Sequence, residues 1–175
     1  MRSLNYCSSC GRELIPKTLL DGTMEKYCPD CDCVFFDEPS PAVIVAVTNG
    51  ERMLLARSVG WKHHHWGLVA GHVKSGETAE ETAIREVREE VGLDVSELEI
   101  LGTYVIRSRD LLMIGFKAET KGINVRKSQE LEEAEWFRLD EPLPLHPSSI
   151  SAQIAERIFP DLRLAQPRKK TEDIH

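Results

Sequence analysis

Between Gly71 and Leu93 the chain reads GHVKSGETAEETAIREVREEVGL, a glycine-bearing turn followed by an acidic amphipathic segment. At about 100° per residue, Glu86, Glu89 and Glu90 fall within an arc of roughly 100° on a helix. Ile84, Val87 and Val91 sit together on the adjoining side. One face can therefore pack while the next holds three carboxylates close together. Such carboxylates raise one another's pKa unless a cation lies among them. The ion that suits oxygen ligands of this kind is a hard divalent one, Mg²⁺ or Mn²⁺, which keeps several waters and completes its shell with phosphate oxygens. The bland reading of the same residues is a solvated acidic face carrying i,i+4 pairs such as Glu81 with Arg85.

The chain has 175 residues, enough for one full core and a small module. A formal net charge of −7 removes any general pull toward nucleic acid, so no DNA partner is expected. An anionic substrate must then meet local positive charge or a metal. No apolar run is long enough to cross a membrane and no signal-peptide pattern appears, so a cytoplasmic protein without a membrane partner is expected.

Residues 1-36 carry two CxxC pairs, Cys7 with Cys10 and Cys28 with Cys31, separated by a hairpin-sized insert with an Asp21-Gly22 turn signal. Two such knuckles read as a four-thiolate zinc ribbon, because a segment this short cannot bury enough apolar surface to fold without a structural Zn²⁺. Disulfides are disfavoured by the missing secretory signal, and a redox pair by the absence of a βαβ setting. Cys33 is a spare thiol.

Residues 37-160 follow as a second domain, and 161-175 as a polar tail. Ala42–Thr48 and Arg52–Ala56 read as a buried hairpin around Asn49-Gly50, and Ser58–Trp66 as a loop carrying His63, His64 and His65. Gly67–Val73 is a short strand and turn that delivers Gly71. A helix then opens near Ser75-Gly76-Glu77 and closes at Gly92. Leu98–Arg107 and Leu111–Ala118 read as strands around Ser108-Arg109-Asp110. In Glu130–Phe137, alternation puts Ala134 and Trp136 on one side and Glu133, Glu135 and Phe137 on the other. Ser148–Phe159 is an amphipathic helix.

The stretch from Gly71 to Leu93 meets every position of Gx5Ex7REUxEExGU, with U an aliphatic residue, and so resembles the Nudix box. Seven fixed letters make a chance match on the order of 10⁻⁸ per starting position. The resemblance implies an α+β fold, a Nudix α/β/α sandwich with a mixed sheet preceded by the ribbon. It implies that the Gly71 carbonyl, Glu86, Glu89 and Glu90 hold Mg²⁺ or Mn²⁺, and that Glu77, Arg85 and Gly92 are structural. Glu130 matches the first acid of the Nudix segment E-x-x-x-A-x-W, which reaches the metal from a neighbouring loop. Glu89 and Glu130 are the alternative catalytic bases.

A ribbon joined to a Nudix domain is similar to the NADH pyrophosphatase branch. Two features depart from it. The branch's Ser-Gln-Pro-Trp-Pro-Phe-Pro motif is replaced by YVIRSRDLL from Tyr104, and His72 stands where the branch has an aromatic residue after the box glycine. The branch's extra N-terminal domain is also not part of this sequence. Phe36, His72, Arg107, Arg109 and Glu133 are candidate substrate contacts, the two arginines because residues two apart on a strand share a face. The expected reaction is hydrolysis of the diphosphate in a small-molecule nucleotide: ADP-ribose, NAD(H), a dinucleotide or a nucleotide sugar. The alternatives are a silent nucleotide sensor and, less favoured by the charge, an RNA-binding or decapping protein. A homodimer is expected by analogy alone.

Overall fold

The computed structural model describes residues 4–61 and 65–165. Lys62, His63 and His64 of the histidine loop, and residues 166–175 of the expected tail, lie outside the described residues. By internal contacts the chain forms two units, Met1–Ser40 with Arg107–Asp110, and Pro41–Ile106 with Leu111–His175.

In the first unit, β1 (Ile15–Thr18), β2 (Met24–Cys28) and β3 (Cys33–Phe35) form an antiparallel sheet in that order. Asp21 closes the first hairpin by accepting hydrogen bonds from the Thr23 N–H at 3.0 Å and the Thr23 hydroxyl at 2.7 Å. Gly22 takes a φ of 85°, a left-handed conformation that strains any side chain. Among the described residues of this unit the only buried apolar side chains are Cys7 and Cys28. The sheet has no hydrophobic core to hold it, so its stability must come from elsewhere.

The second unit is an α/β/α sandwich around a mixed six-stranded sheet. Its strands are β4 (Ser40–Asn49), β5 (Arg52–Ser58), β6 (Val69–His72), β7 (Glu97–Ile106), β8 (Leu111–Glu119) and β9 (Leu131–Arg138). Its helices are α1 (Ala79–Val91) and α2 (Ile150–Ile158). The sheet runs β7-β8-β4-β5-β9, with β6 on β4. β4 and β5 pair only beside their turn, Thr48 with Met53 and Asn49 with Arg52. The two strands then part. β6 pairs antiparallel with β4 from Ala42↔His72 to Val45↔Val69, while Gly67 bridges to Ala56 of β5.

β4 is buried on both faces, as its unbroken AVIVAVT run requires. Val43, Val45 and Val47 pack with Ala83, Val87 and Val91 of α1, while Ala42, Ile44 and Ala46 pack with Ala152, Ile154 and Ala155 of α2. Each larger side chain so buried contributes about 1.5–3 kcal/mol. β9 alternates as its sequence implies, Ala134 and Trp136 toward the α1 layer and Phe137 toward the α2 layer. Leu131 joins the α1 side out of phase because the β5–β9 register shifts between Arg57 and Ser58.

Two expectations need correcting. Arg107 and Arg109 do not lie on a strand: β7 ends at Ile106, and Arg107–Arg109 form a 3-10 turn in which residues two apart diverge by about 240°. The reason is the tight connection to β8, Ile106 pairing with Leu111 and Asp110 adopting a φ of 57°. The polar tail also begins later than residue 161. Leu143 N–H donates to the Arg163 carbonyl and Ala165 N–H to the Leu143 carbonyl, and Leu162 and Leu164 pack on the α2 side of the core. Among the described residues no helix is long and apolar enough to cross a membrane.

Candidate active site

α1 starts later than its acids imply, because Thr78 caps it. The Thr78 hydroxyl accepts from the Glu81 N–H at 3.1 Å, and the Glu81 carboxylate accepts from the Thr78 N–H at 2.8 Å. Gly92 ends it with a φ of 68°. Glu77 therefore lies in the turn before the helix, where its carboxylate gathers four donors. Arg85 Nε and Nη2 donate at 2.7 and 2.9 Å, the Thr82 hydroxyl at 3.0 Å and the Lys74 N–H at 3.3 Å. The Arg85 guanidinium, ahead of the Thr82 and Lys74 hydrogen bonds, holds Glu77 down at about 2.

Arg85 then reaches outward. Its Nη1 donates to Glu86 at 2.6 Å and to Glu89 at 3.0 Å, and its Nη2 also donates to the His72 carbonyl at 3.1 Å. One side chain thus ties the turn, the end of β6 and two box acids together. Glu86 is 12% exposed and lies against Gly71, where an added Cβ would fall inside its carboxylate. Glu89 is 54% exposed and also has Lys74 Nζ at 3.8 Å. Glu90 is half-buried beside the Ala70 main chain. Burial first, then the charges of Glu86, Glu130 and Glu89, push it up to about 7.

Glu130 arrives from a different element. The loop before it is fastened to the open end of α1: Arg126 N–H donates to the Val91 carbonyl at 2.9 Å and Ser128 N–H to the Glu90 carbonyl at 2.8 Å. The Glu130 N–H donates to Ser128 Oγ at 3.2 Å, and its carbonyl accepts from Val59 N–H at 2.8 Å. The structure therefore brings Gly71, Glu86, Glu89, Glu90 and Glu130 together, with Arg85 and Glu77 behind them. The four acids are looser than the cysteines described below, since Arg85 stands between Glu86 and Glu89.

Glu133 pairs across strands with Arg57 at 3.2 Å, and the His72 side chain is exposed while its carbonyl serves Arg85. Phe36, 57% exposed, and Arg107 and Arg109 belong to the first unit. Sequence reasoning passed over Lys74, Thr82, Arg126 and Ser128. Thr82 was detectable as a polar residue on the packed face of α1, whereas Arg126 and Ser128 hold the end of α1 through main-chain N–H groups that any residue but proline supplies, with the Ser128 hydroxyl added toward Glu130.

Gly71→Ala is expected to displace Glu86 and lower metal-dependent kcat/KM by about a hundredfold. A parallel thermal melt should show a loss of about 1–3 kcal/mol from overpacking. Full activity in this variant would mean that Glu86 has no required position.

In the first unit, the sulfurs of Cys7, Cys10, Cys28 and Cys31 all lie within 4.8 Å of one another. Cys7 Sγ is 3.9 Å from Cys31 Sγ, and Cys10 Sγ 3.5 Å from Cys28 Sγ. A tetrahedron with metal–sulfur bonds of about 2.3 Å has edges of about 3.8 Å, so the quartet fits a four-coordinate ion. The N–H groups of Cys10 and Ser9 pull the Cys7 thiol down to about 6, while hydrogen bonding with Cys10 and Cys7 pushes the Cys31 thiol up, so four close sulfurs cannot all ionise without a cation among them. Among the described residues, no other set of three or more Cys, His, Asp or Glu donors is this compact.

A NUDIX domain model matches residues 38–158. The chain is 37% identical over 151 residues to the NAD-capped RNA hydrolase NudC of Pseudomonas fluorescens, covering 86% of this chain and 53% of that protein. It is 38% identical over 166 residues to the Pseudomonas aeruginosa protein of the same name, covering 94% and 57%. The chain thus spans a little over half the length of these curated relatives. A crystal structure of a NUDIX hydrolase from Nitrosomonas europaea superposes with a TM-score of 0.68 at 21% identity, over 93% of this chain and 97% of that one, a likeness of fold. With a domain match across more than half of its length, the chain belongs to the Nudix family.

Proposed function

We propose that the chain hydrolyses the diphosphate linkage of a nucleoside diphosphate joined to a second group, NAD(H) and related dinucleotides foremost, and releases a nucleoside monophosphate. The observation that carries this reading is the convergence of Glu86, Glu89, Glu90 and Glu130 beside Gly71, with Glu90 held near 7 by burial and by its neighbours' charge. Acids so placed are relieved by a cation among them. The names of the sequence relatives support the choice of dinucleotide.

Glu86, Glu89, Glu90 and the Gly71 carbonyl are the groups to hold Mg²⁺ or Mn²⁺, and the four cysteines to hold Zn²⁺. The divalent ion, when bound, neutralises charge on the phosphate oxygens and acidifies water. The chain's residues supply the rest. Arg85, clamped by Glu77, orients Glu86 and Glu89. Glu89 already shares its oxygens with Arg85 and Lys74, whereas the Glu130 side chain makes no ion pair among the described residues. Glu130 is therefore the better placed of the two to take the proton from the attacking water. The pairing of two copies and a cytoplasmic location belong to the same proposal.

The test is a panel of NAD(H), ADP-ribose, a dinucleoside diphosphate and a nucleotide sugar with Mg²⁺ or Mn²⁺, products separated by chromatography. Metal-dependent release of AMP from NAD(H) is expected. Failure to cleave any of the four would overturn the proposal.

A further inference from the structure

β6 and the chain just before it carry two glycines whose missing side chains leave room for something else. Directly opposite residues on antiparallel strands point to one face, so Gly71 opposite Val43 and Gly67 opposite Ala56 both look toward the α1 layer, where Val43 and Ala56 pack. Neither glycine takes a positive φ, so backbone conformation does not exclude a side chain there. A neighbour does. At Gly71 it is the Glu86 carboxylate, and at Gly67 it is the indole of Trp61, whose Cη2 and Cζ3 would lie 2.8 and 3.3 Å from an added Cβ. The chain thus clears one place for a box acid and a second, four residues and about 13 Å along the same face, for an aromatic ring.

Trp61 does not use that place to bury itself. It stays 44% exposed, whereas Trp66, the other tryptophan of the same loop, packs edge to face on Phe137 at 4.9 Å in the α2 layer. A glycine in extended chain weakens the pairing and marks a place where another group comes close. Here that group is a large planar surface with nearly half its area in water.

The ring also stands beside the acids. Val59 N–H donates to the Glu130 carbonyl at 2.8 Å, and the Trp61 N–H turns back to the Ser58 carbonyl at 3.3 Å through Gly60 at a φ of 81°. Trp61 is therefore two residues beyond the Glu130 contact, at most about 7 Å of chain. Val59, 62% exposed, adds apolar surface between them. A nucleotide joins its ring to its phosphates through one ribose, so phosphates held at the acids carry the ring one sugar away, toward a residue placed as Trp61 is.

We infer that Trp61 is the stacking surface for a base of the nucleotide substrate, with the Gly67 seat holding its indole beside Glu130. The inference rests on the diphosphate-hydrolase reading above and adds to it a residue that selects a planar heteroaromatic ring. Adenine and nicotinamide both offer the flat face that an exposed indole accepts, and oxidised nicotinamide adds a positive charge that the indole attracts.

Calorimetric titration with AMP, nicotinamide mononucleotide and inorganic pyrophosphate, each with Mg²⁺, compares the full chain with its Trp61→Leu and Trp61→Phe variants. Leucine keeps an apolar side chain and removes the ring, whereas phenylalanine keeps a ring. Affinity for one or both mononucleotides is expected to fall about tenfold in Trp61→Leu and by less than about threefold in Trp61→Phe, while pyrophosphate binds all three proteins alike. The mononucleotide that loses affinity identifies which ring stacks. Leucine binding both mononucleotides as well as tryptophan does, or an equal loss for pyrophosphate, overturns the inference. Tryptophan emission gives a second readout. The stacked mononucleotide should change the emission of the full chain and not that of Trp61→Phe, and the same change in both overturns the inference. None of these readings needs turnover. A chain that binds a mononucleotide through Trp61 yet cleaves no diphosphate refutes the hydrolase reading alone, and one that cleaves NAD(H) with its KM unchanged in Trp61→Leu refutes the stacking site alone.

Discussion

Glu90→Gln is expected to lower kcat by about a thousandfold and, in the same protein stripped of divalent metal, to raise the melting temperature by about 5 °C at pH 8. The two effects have one origin. Glu90 is half-buried among Glu86, Glu89 and Glu130, so its ionised form is costly until a cation joins it. Its pKa rises from 4.5 to about 7 on folding. Below the unfolded value both states hold the proton and Glu90 contributes nothing. Between the two values the folded state holds a proton that the unfolded state has released, so stability falls as pH rises. Above about 7 the whole penalty, about 1–2 kcal/mol after solvent screening, is present. Glutamine keeps the shape and removes the charge. Scanning calorimetry in chelator at pH 8 and again near pH 4 separates this account from a general packing effect, because the gain must vanish at the lower pH. Retained turnover would remove Glu90 from the chemistry; an unchanged melt at pH 8 would remove the burial argument.

Cys28→Ser should abolish metal binding by the first unit, from about one ion per chain to none, and leave that unit unfolded. Cys7 and Cys28 are its only buried apolar side chains among the described residues, so no packing remains to hold three short strands in register. Rapid proteolysis within residues 1–40, together with loss of zinc in a colorimetric assay, is the expected readout. The second unit has its own two-layered core and should keep its melting transition. A variant that still resists protease would point to another source of stability. A wild-type unit that unfolds on treatment with a reductant alone would revive the disulfide reading.

The cysteine quartet and the helix acids were readable in the sequence for a physical reason: both depend on local spacing. CxxC spacing and acids three and four apart on a helix keep donors near each other by local backbone geometry, so each cysteine pair, and likewise Glu86, Glu89 and Glu90, needed no knowledge of the rest of the fold, and only the hairpin between the pairs had to bring the two together. The burial of β4 was readable in the same way, from its unbroken apolar run. What escaped depends on partners far away in the chain. Whether Arg107 continued β7 was decided by the hairpin closing at Ile106↔Leu111, and Leu162 and Leu164 joined the core because Leu143 offered them a main-chain bridge. Glu130 was identified only through a family resemblance, since no spacing connects it to a helix forty residues upstream. The contact that brings it there is made by peptide groups.

That contact has a consequence for how such a chain can change. The last carbonyls of α1 would otherwise lack partners, and the peptide N–H groups of Arg126 and Ser128 satisfy them. Since these two bonds need only peptide groups, most residues along the loop are free to vary while Ser128, whose hydroxyl also accepts from the Glu130 N–H, keeps Glu130 beside Glu90. Selectivity for a new ligand can therefore be acquired by drift in a handful of surface positions, with the bond-breaking apparatus inherited intact.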